Sequence, residues 1–142
     1  MTANILESER EITELLAATK RIAVLGIKTE AQADQASFYV AKYLVDNGYD
    51  VVPVPVYYPE VTTILGQPVV RALAAITPPV DMINVFRRPK DLAAHLEDIL
   101  KAKPKSVWLQ LGIRDDAFAA KIAQAGIQVV QDRCLMVELR NR

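Results

Sequence analysis

Short apolar runs that are continuous rather than alternating dominate this chain. RIAVLG at residues 21–26 and DMINVF at 81–86 are compact stretches, and the first ends in glycine. Strands covered on both faces show this pattern, whereas strands with one face in water alternate apolar and polar residues. Further strands are predicted at DVVPV 50–54, SVWLQLG 106–112 and IQVVQ 127–131. Because helical patterns separate the strands, we predict an α/β protein with a mostly parallel sheet and right-handed crossovers.

The helices between these strands are predicted from capping residues and from apolar residues at helical spacing. An N-terminal helix is expected at about 8–19, with Ser8 as its N-cap. Later helices are expected to begin at Ser37, at Pro89, and at Asp115 or Asp116. RALAAI at 71–76 predicts about two helical turns within a short edge unit around Pro68. The tail from Asp132 fits either a strand or a short helix.

Length and composition define the class of protein. A chain of 142 residues can bury about two-thirds of its unfolded surface, which is enough for one core and hence a single domain. Seventeen basic and seventeen acidic residues cancel, so no global positive field favours nucleic acid or a membrane surface. One cysteine, no long apolar run and an acidic start without signal-peptide character lead us to expect a cytoplasmic protein.

In a parallel sheet, ligands bind at the carboxyl ends of the strands, so the loops there are the candidate site. The first loop begins Gly26-Ile27-Lys28 and carries one of the three glycines of a dinucleotide fingerprint. The second strand ends without the acidic residue that would hold an NAD ribose. NAD-dependent chemistry is therefore disfavoured, although amides at the start of the next helix can hold a phosphate. Ser37 can cap that helix, add a hydroxyl to such a site, or do both.

The second and third loops offer aromatic and basic side chains. PVYYP at 55–59 provides Tyr57 and Tyr58, which suit either a purine sandwich or half-buried loop anchors. FRRP at 86–89 places Arg87 and Arg88 before a predicted helix start. The helix dipole repels cations there unless an anion intervenes, so a polyphosphate ligand is one interpretation and surface ion pairs are the other.

The fourth loop and the scarce reactive side chains complete the candidates. Gln110 can donate or accept hydrogen bonds, and Gly112 permits either a tight turn or a close ligand approach. His95 is the only histidine, lies within a predicted helix and has no partner at metal-ligand spacing, so a structural role is expected and no metal site is predicted. Cys134 is interpreted as a buried apolar residue or as a thiol close to the ligand.

Several motifs in fixed order point to a known family. VLGIK, GYDVVPV, VDMINVFRRP, VWLQLGIRDD and VVQDRCLMVE occur between Arg21 and Glu138. With these motifs the chain resembles the small stand-alone CoA-binding proteins, relatives of the CoA-binding domain in the succinyl-CoA synthetase α subunit. The resemblance implies a Rossmann-like, three-layer α/β/α domain with coenzyme A or an acyl-CoA across the carboxyl ends of the strands.

The resemblance also implies roles for particular residues. Contact with the phosphates is implied for Gly26, Ile27, Lys28 and Ser37. An adenosine pocket is implied for Val54, Pro55 and Tyr57. Contact with a phosphate or the pantetheine arm is implied for Phe86, Arg87 and Arg88. A path along that arm is implied for Gln110, Gly112 and Ile113. QADQAS and VPVYYP depart from the family pattern at the nucleotide end.

The leading hypothesis from the sequence is a CoA-binding module without chemistry of its own. An NAD(P)-dependent oxidoreductase with a divergent site and a subunit of an acyl-CoA ligase-type complex remain as alternatives. A third alternative is that the pocket no longer binds a ligand and that the chain acts only through protein contacts. The sequence leaves open whether the chain has a protein partner or forms a homo-oligomer.

Overall fold

The computed structural model describes residues 3–142 and shows a five-stranded parallel sheet in the order β2-β1-β5-β6-β7. The strands in chain order are β1 Arg21–Leu25, β2 Asp50–Val54, β3 Thr63–Ile64, β4 Gln67–Pro68, β5 Met82–Val85, β6 Ser106–Leu109 and β7 Gln128–Val130. The short strands β3 and β4 form an antiparallel hairpin. This hairpin joins the sheet edge because the Val70 amide donates to the Pro53 carbonyl at 2.9 Å.

Five α-helices accompany the sheet. They are α1 Glu9–Ala17, α2 Ala36–Asp46, α3 Leu96–Ala102, α4 Asp116–Gln124 and α5 Leu135–Arg140. Short 3₁₀ segments occupy Glu30–Gln32, Leu73–Ala75 and Pro89–His95. The predicted α/β fold of one small domain with a mostly parallel sheet is confirmed. The tail, which the sequence left undecided, forms a helix rather than a strand.

Both faces of the sheet are buried, which explains the continuous apolar runs. Ala23, Leu25, Ile83, Val107 and other alternate strand residues pack with α3 and α4 in one core cluster. The intervening residues of the same strands pack with α1, α2 and α5 in a second cluster. The chain therefore forms three layers, with the sheet between two layers of helices, as in Rossmann-like folds.

Local capping decides where the helices begin. Asp115 accepts a hydrogen bond from the Phe118 amide at 3.0 Å and caps α4. The prediction that Ser37 caps α2 is wrong, because Gln35 occupies the N-cap position and Ser37 lies in the first turn. The sequence has no signal for an N-cap two residues earlier, since Gln35 makes no side-chain cap hydrogen bond.

The predicted helix at RALAAI is also wrong, since only the 3₁₀ turn Leu73–Ala75 forms there. The Asp98 carboxylate of α3 accepts from the amides of Leu73 at 2.7 Å and Ala74 at 2.9 Å. A short isolated helix is marginal without such tertiary support. The contact to α3 therefore decides the conformation of this segment over local propensity.

The strand order reverses beside β1. From β1 the chain moves to β2 on one side and later returns to β5 on the other. Loops after β1 and β5 therefore diverge and leave a crevice between them, which is where open α/β sheets bind ligands.

Candidate functional site

At this crevice the backbone of Gly26, after β1, lies very close to the backbone of Phe86, after β5. Gly26 has a φ of +85°, and a Cβ there would lie 2.5 Å from the Phe86 carbonyl oxygen and 3.2 Å from Arg87 Cδ. Real Cβ atoms do not approach a backbone oxygen so closely, so only glycine fits without movement of β1 or β5. The glycine therefore brings the loop after β1 next to the stem of Arg87.

A cleft of about 500 Å³ opens beside this contact, across the loops after β1, β5 and β6. Eight predicted site residues line it: Lys28, Ser37, Phe86, Arg87, Arg88, Gln110, Gly112 and Ile113. Five further lining residues were not predicted: Gln35, Ala36, Tyr39, Pro89 and Leu111. Cys134, which the sequence left as either buried or close to the ligand, also lines the cleft. The structure thus brings together the first, third and fourth predicted loops and adds the start of α2 and the segment after β7.

Five predicted residues lie outside the cleft lining. Ile27, Val54 and Pro55 are buried, and the first two belong to the core clusters. Tyr57 is 66% exposed and meets Tyr58 edge to face, with ring centroids 6.4 Å apart. Gly26 does not line the cleft, but its lack of a side chain allows the close approach to Phe86 and Arg87. The structure therefore does not assemble the predicted adenosine pocket together with the rest of the site.

Three cations face the cleft under unequal restraint. Arg87 is only 19% exposed, and its Nη2 lies 3.9 Å from the Asp91 carboxylate. Arg88 is 72% exposed, and its Nε lies 3.2 Å from the same carboxylate. Lys28 completes the set on the opposite loop. With one carboxylate among three cations, the mouth of the cleft carries a net positive charge and suits an anion.

His95 contacts Arg87 but is not among the residues that line the cleft. Arg87 Nε donates to His95 Nε2 at 3.1 Å, so that ring nitrogen must be unprotonated. Burial lowers the pKa of His95, and the positive charge of Arg87 lowers it further, while Asp98 and Asp91 act in the opposite direction. His95 is therefore neutral beside Arg87, which sequence reasoning did not anticipate because it assigned this histidine a structural role.

The first turn of α2 forms the wall opposite the arginines. The Lys28 amide donates to the Ser37 carbonyl at 3.1 Å, which joins the loop after β1 to α2. Ala36 and Ser37 both line the cleft. The Gln35 amide donates to the Gln32 carbonyl and the Phe38 amide to the Gln35 carbonyl. Among the described residues of this turn, the amides of Ala36 and Ser37 therefore remain for a ligand, at the positive end of the helix dipole.

Hydrogen bonds from buried polar side chains fix the wall of the cleft that follows β7. Asn84 Nδ2 donates to Gln110 Oε1 at 3.2 Å, and the same oxygen accepts from the Leu135 amide at 3.3 Å. Trp108 Nε1 donates to the Arg133 carbonyl at 2.8 Å. These bonds tie the segment after β7 to the sheet and place Cys134 on the cleft wall. Asn84 was not among the predicted site residues. Its trace in the sequence is that it is the single polar residue within the apolar run MINVF.

The turn after β6 has a local explanation. Gly112 has a φ of +85°, and a Cβ there would meet no atom within 4 Å. Its amide donates to the Asp132 carboxylate at 2.6 Å. Gly112 therefore permits the left-handed turn that brings Leu111 and Ile113 to the cleft, without a close packing contact of its own.

The described residues include neither a membrane-spanning helix nor a cluster of metal ligands. None of the helices within residues 3–142 has the length and apolar character needed to cross a bilayer. In the same range, no group of three or more His, Cys, Asp and Glu side chains is placed to hold a metal ion.

Comparison with known proteins covers nearly the whole chain. The protein is 34% identical to the uncharacterized protein YneT of Bacillus subtilis over 130 residues, which span 92% of this chain and 93% of YneT. The structure of cell-free ID.343 from Thermus thermophilus matches with 39% identity and a TM-score of 0.85, covering 95% of this chain and 98% of that one. A hypothetical protein from Pyrococcus horikoshii matches with 29% identity and a TM-score of 0.83, covering 98% and 94%.

The family comparison is the most specific of these results. The family model described as a CoA binding domain matches residues 20–140, which include every strand of the sheet and all the cleft-lining residues. The predicted resemblance to CoA-binding proteins is confirmed by this match. The chain belongs to the CoA binding domain family.

Proposed function

We propose that this protein binds coenzyme A or an acyl-CoA in the cleft at the carboxyl ends of β1, β5 and β6, without catalysing a reaction itself. One observation carries the proposal: Arg87, Arg88, Lys28 and the first turn of α2 surround a single cleft at the strand-order reversal. Cations and free helix amides are the groups that bind phosphates. Membership of the CoA binding domain family supports the same ligand class.

The charge distribution favours one orientation of the ligand. Its phosphates are expected between the arginines and α2, and its pantetheine arm is expected to pass Leu111 and Ile113. Adjacent strands lie about 4.8 Å apart, so the path from β1 across β5 and β6 to β7 spans roughly 14 Å. An extended arm would therefore direct its thiol toward Cys134. The adenosine would lie on the side of Tyr57, outside the cleft proper.

The direct test is isothermal titration of the ligand-stripped protein with CoA, acetyl-CoA, NAD and NADP at one salt concentration. We expect CoA or acetyl-CoA to bind in preference to both dinucleotides, because the residue pattern after β2 provides no carboxylate for the NAD ribose. Binding of NAD or NADP alone would instead support an oxidoreductase. Silence from all four ligands would contradict the proposal and favour a role through protein contacts only.

The orientation predicts protection of the single cysteine. Cys134 lines the cleft and is half-buried, so a maleimide should label it slowly in the free protein. Saturating acetyl-CoA, whose sulfur is capped and does not consume maleimide, is expected to reduce the labelling rate at least about fivefold, since a well-occupied site leaves only the unbound fraction reactive. Intact mass spectrometry over time measures the rate.

A comparison of ligands separates this from a general effect of binding. Adenosine 3′,5′-bisphosphate carries the nucleotide end without the arm and should protect Cys134 much less than acetyl-CoA at equal occupancy. Equal protection by both ligands would contradict the proposed direction of the arm.

A further inference from the structure

Two contacts restrain the side chain of Arg87. Its stem packs beside Gly26, with Cδ 3.2 Å from where a Cβ would lie, and its Nε donates to His95 Nε2 at 3.1 Å. Its remaining contact with Asp91 is loose, at 3.9 Å. The restraint leaves the two terminal nitrogens of the guanidinium for the cleft, and a bidentate anion needs such a pair.

His95 performs this restraint only in one protonation state. An arginine has no acceptor atoms, so the hydrogen bond requires a lone pair on His95 Nε2 and the ring proton on Nδ1. A protonated imidazole would lose the acceptor and place a second positive charge against the guanidinium. The contact is therefore made above the pKa of His95 and is lost as the pH falls through it.

The other charged groups that face His95 are already engaged. Asp91 lies on the same 3₁₀ segment and pairs with Arg88 at 3.2 Å. Asp98 lies on α3 and accepts from the amides of Leu73 and Ala74. Both carboxylates favour protonation of His95, but burial and Arg87 outweigh them and the pKa stays below its ordinary value.

We propose that neutral His95 is a positioning residue, which orients Arg87 toward a ligand phosphate, so that protonation of its imidazole weakens the affinity for phosphate-bearing ligands. His95 is not among the residues that line the cleft, and its side chain meets the site through its hydrogen bond with Arg87. This inference rests on the proposed binding of CoA. It adds a pH response to that function and identifies the residue that carries it.

The contact can be tested without any ligand, because His95 is the only histidine in the chain. NMR of the imidazole nitrogens should show the Nδ1–H tautomer with a free lone pair on Nε2. A pH titration of the same signals should give a pKa that rises when Arg87→Gln removes the positive charge. An Nε2–H tautomer, or a pKa that does not respond to Arg87→Gln, would overturn the proposal.

The effect on binding is tested by titrating CoA into the wild-type protein, His95→Gln and His95→Ala. Glutamine keeps an acceptor for Arg87 but does not titrate, so it should bind CoA within about twofold of wild type at about pH 7.5. Alanine removes the acceptor and should bind about fivefold to tenfold more weakly at that pH, an effect within the range of one typical net hydrogen bond, because the loss reaches the ligand only through Arg87. Thermal unfolding of each variant verifies that it is folded.

The pH dependence is the readout that a merely structural histidine would not change. Between about pH 7.5 and about one pH unit below the His95 pKa found by the NMR titration, wild-type affinity should fall about fivefold more than that of His95→Gln. The phosphomonoester of CoA also titrates in this range, but its effect is common to both proteins and cancels in the comparison. Parallel pH profiles, or tighter wild-type binding at low pH, would overturn the positioning role while leaving CoA binding intact. Absence of CoA binding by wild type at every pH would overturn the proposed function and this role with it.

Discussion

Replacing both Arg87 and Arg88 with alanine is expected to weaken CoA binding at least tenfold at fixed salt. Each arginine offers charge-assisted hydrogen bonds to a phosphate, and one such bond contributes roughly 1.5–3 kcal/mol. Both side chains line the cleft, and only the Asp91 carboxylate is within ion-pair distance of them among the described residues. Isothermal titration of wild type and the double variant in the same buffer measures the change.

The single variants should divide this loss unequally. Arg87 is 19% exposed and oriented by His95, whereas Arg88 is 72% exposed and has only its contact with Asp91. A preorganised side chain loses less conformational entropy on binding, while an exposed charge is screened by solvent. Arg87→Ala is therefore expected to weaken binding about tenfold by itself, and Arg88→Ala only about twofold.

Arg10→Ala is the matched control, since it removes the same charge far from the cleft. Arg10 lies on α1, is 89% exposed and pairs only with Glu14 one turn away. Its removal should leave CoA affinity within about twofold, because solvent and salt screen distant surface charges. An equal loss in Arg10→Ala and the double variant would show a general charge effect, and an unchanged dissociation constant in the double variant would contradict the assigned site.

The sheet was predictable from the sequence because burial on both faces leaves a direct trace. The runs containing β1, β2, β5 and β6 are apolar at almost every position, and each was assigned as a strand. Strand order has no such trace in a single sequence. The adjacency of β1 and β5, which creates the crevice, comes from how the helices pack on the sheet.

The site was predictable where a residue sits in a loop at a strand's carboxyl end. Arg87, Gln110 and Lys28 satisfy this rule, and all three line the cleft. Cys134 follows β7 at a distance, and its place depends on the bonds from Gln110 to Leu135 and from Trp108 to Arg133. Such tertiary contacts are not readable from a linear pattern, so the sequence left its location open.

The loop after β2 contains residues that were predicted for the site but do not line the cleft. Val54 and Pro55 meet the same rule but are buried, because the β3–β4 hairpin joins the edge of the sheet there. Arg71 also holds this region, since its guanidinium donates to the carbonyls of Tyr57 at 2.9 Å and Tyr58 at 2.8 Å. A loop that is fastened to an edge hairpin presents its aromatic rings outward rather than into the crevice.

Gly26→Ala is expected to destabilise the fold by roughly 2–4 kcal/mol. A φ of +85° is strained for an L-residue, which accounts for about 1 kcal/mol of the loss. The larger part comes from the new Cβ, which would lie 2.5 Å from the Phe86 carbonyl oxygen. Relief requires movement of backbone, and overpacking of this kind costs about 1–3 kcal/mol. Urea denaturation measures the change in the free energy of unfolding.

Gly48→Ala separates the two contributions. Gly48 has nearly the same backbone conformation, with a φ of +86°, but a Cβ there meets no atom within 4 Å. It should therefore show the conformational loss of about 1 kcal/mol alone. Equal losses in the two variants would mean that β1 and β5 adjust freely to the added methyl group, and the close approach would then not explain the glycine.

The same pair of variants links stability to the site. The ends of β1 and β5 are joined by the Phe86 amide, which donates to the Leu25 carbonyl at 2.9 Å. A Cβ on Gly26 that presses Phe86 away also displaces Arg87, whose Cδ lies 3.2 Å from that position. Gly26→Ala should thus weaken CoA binding even under conditions where it is fully folded, whereas Gly48→Ala should not. Unchanged affinity in folded Gly26→Ala would show that Arg87 reaches the phosphates independently of the strand-order reversal, and the cleft geometry would then not determine binding.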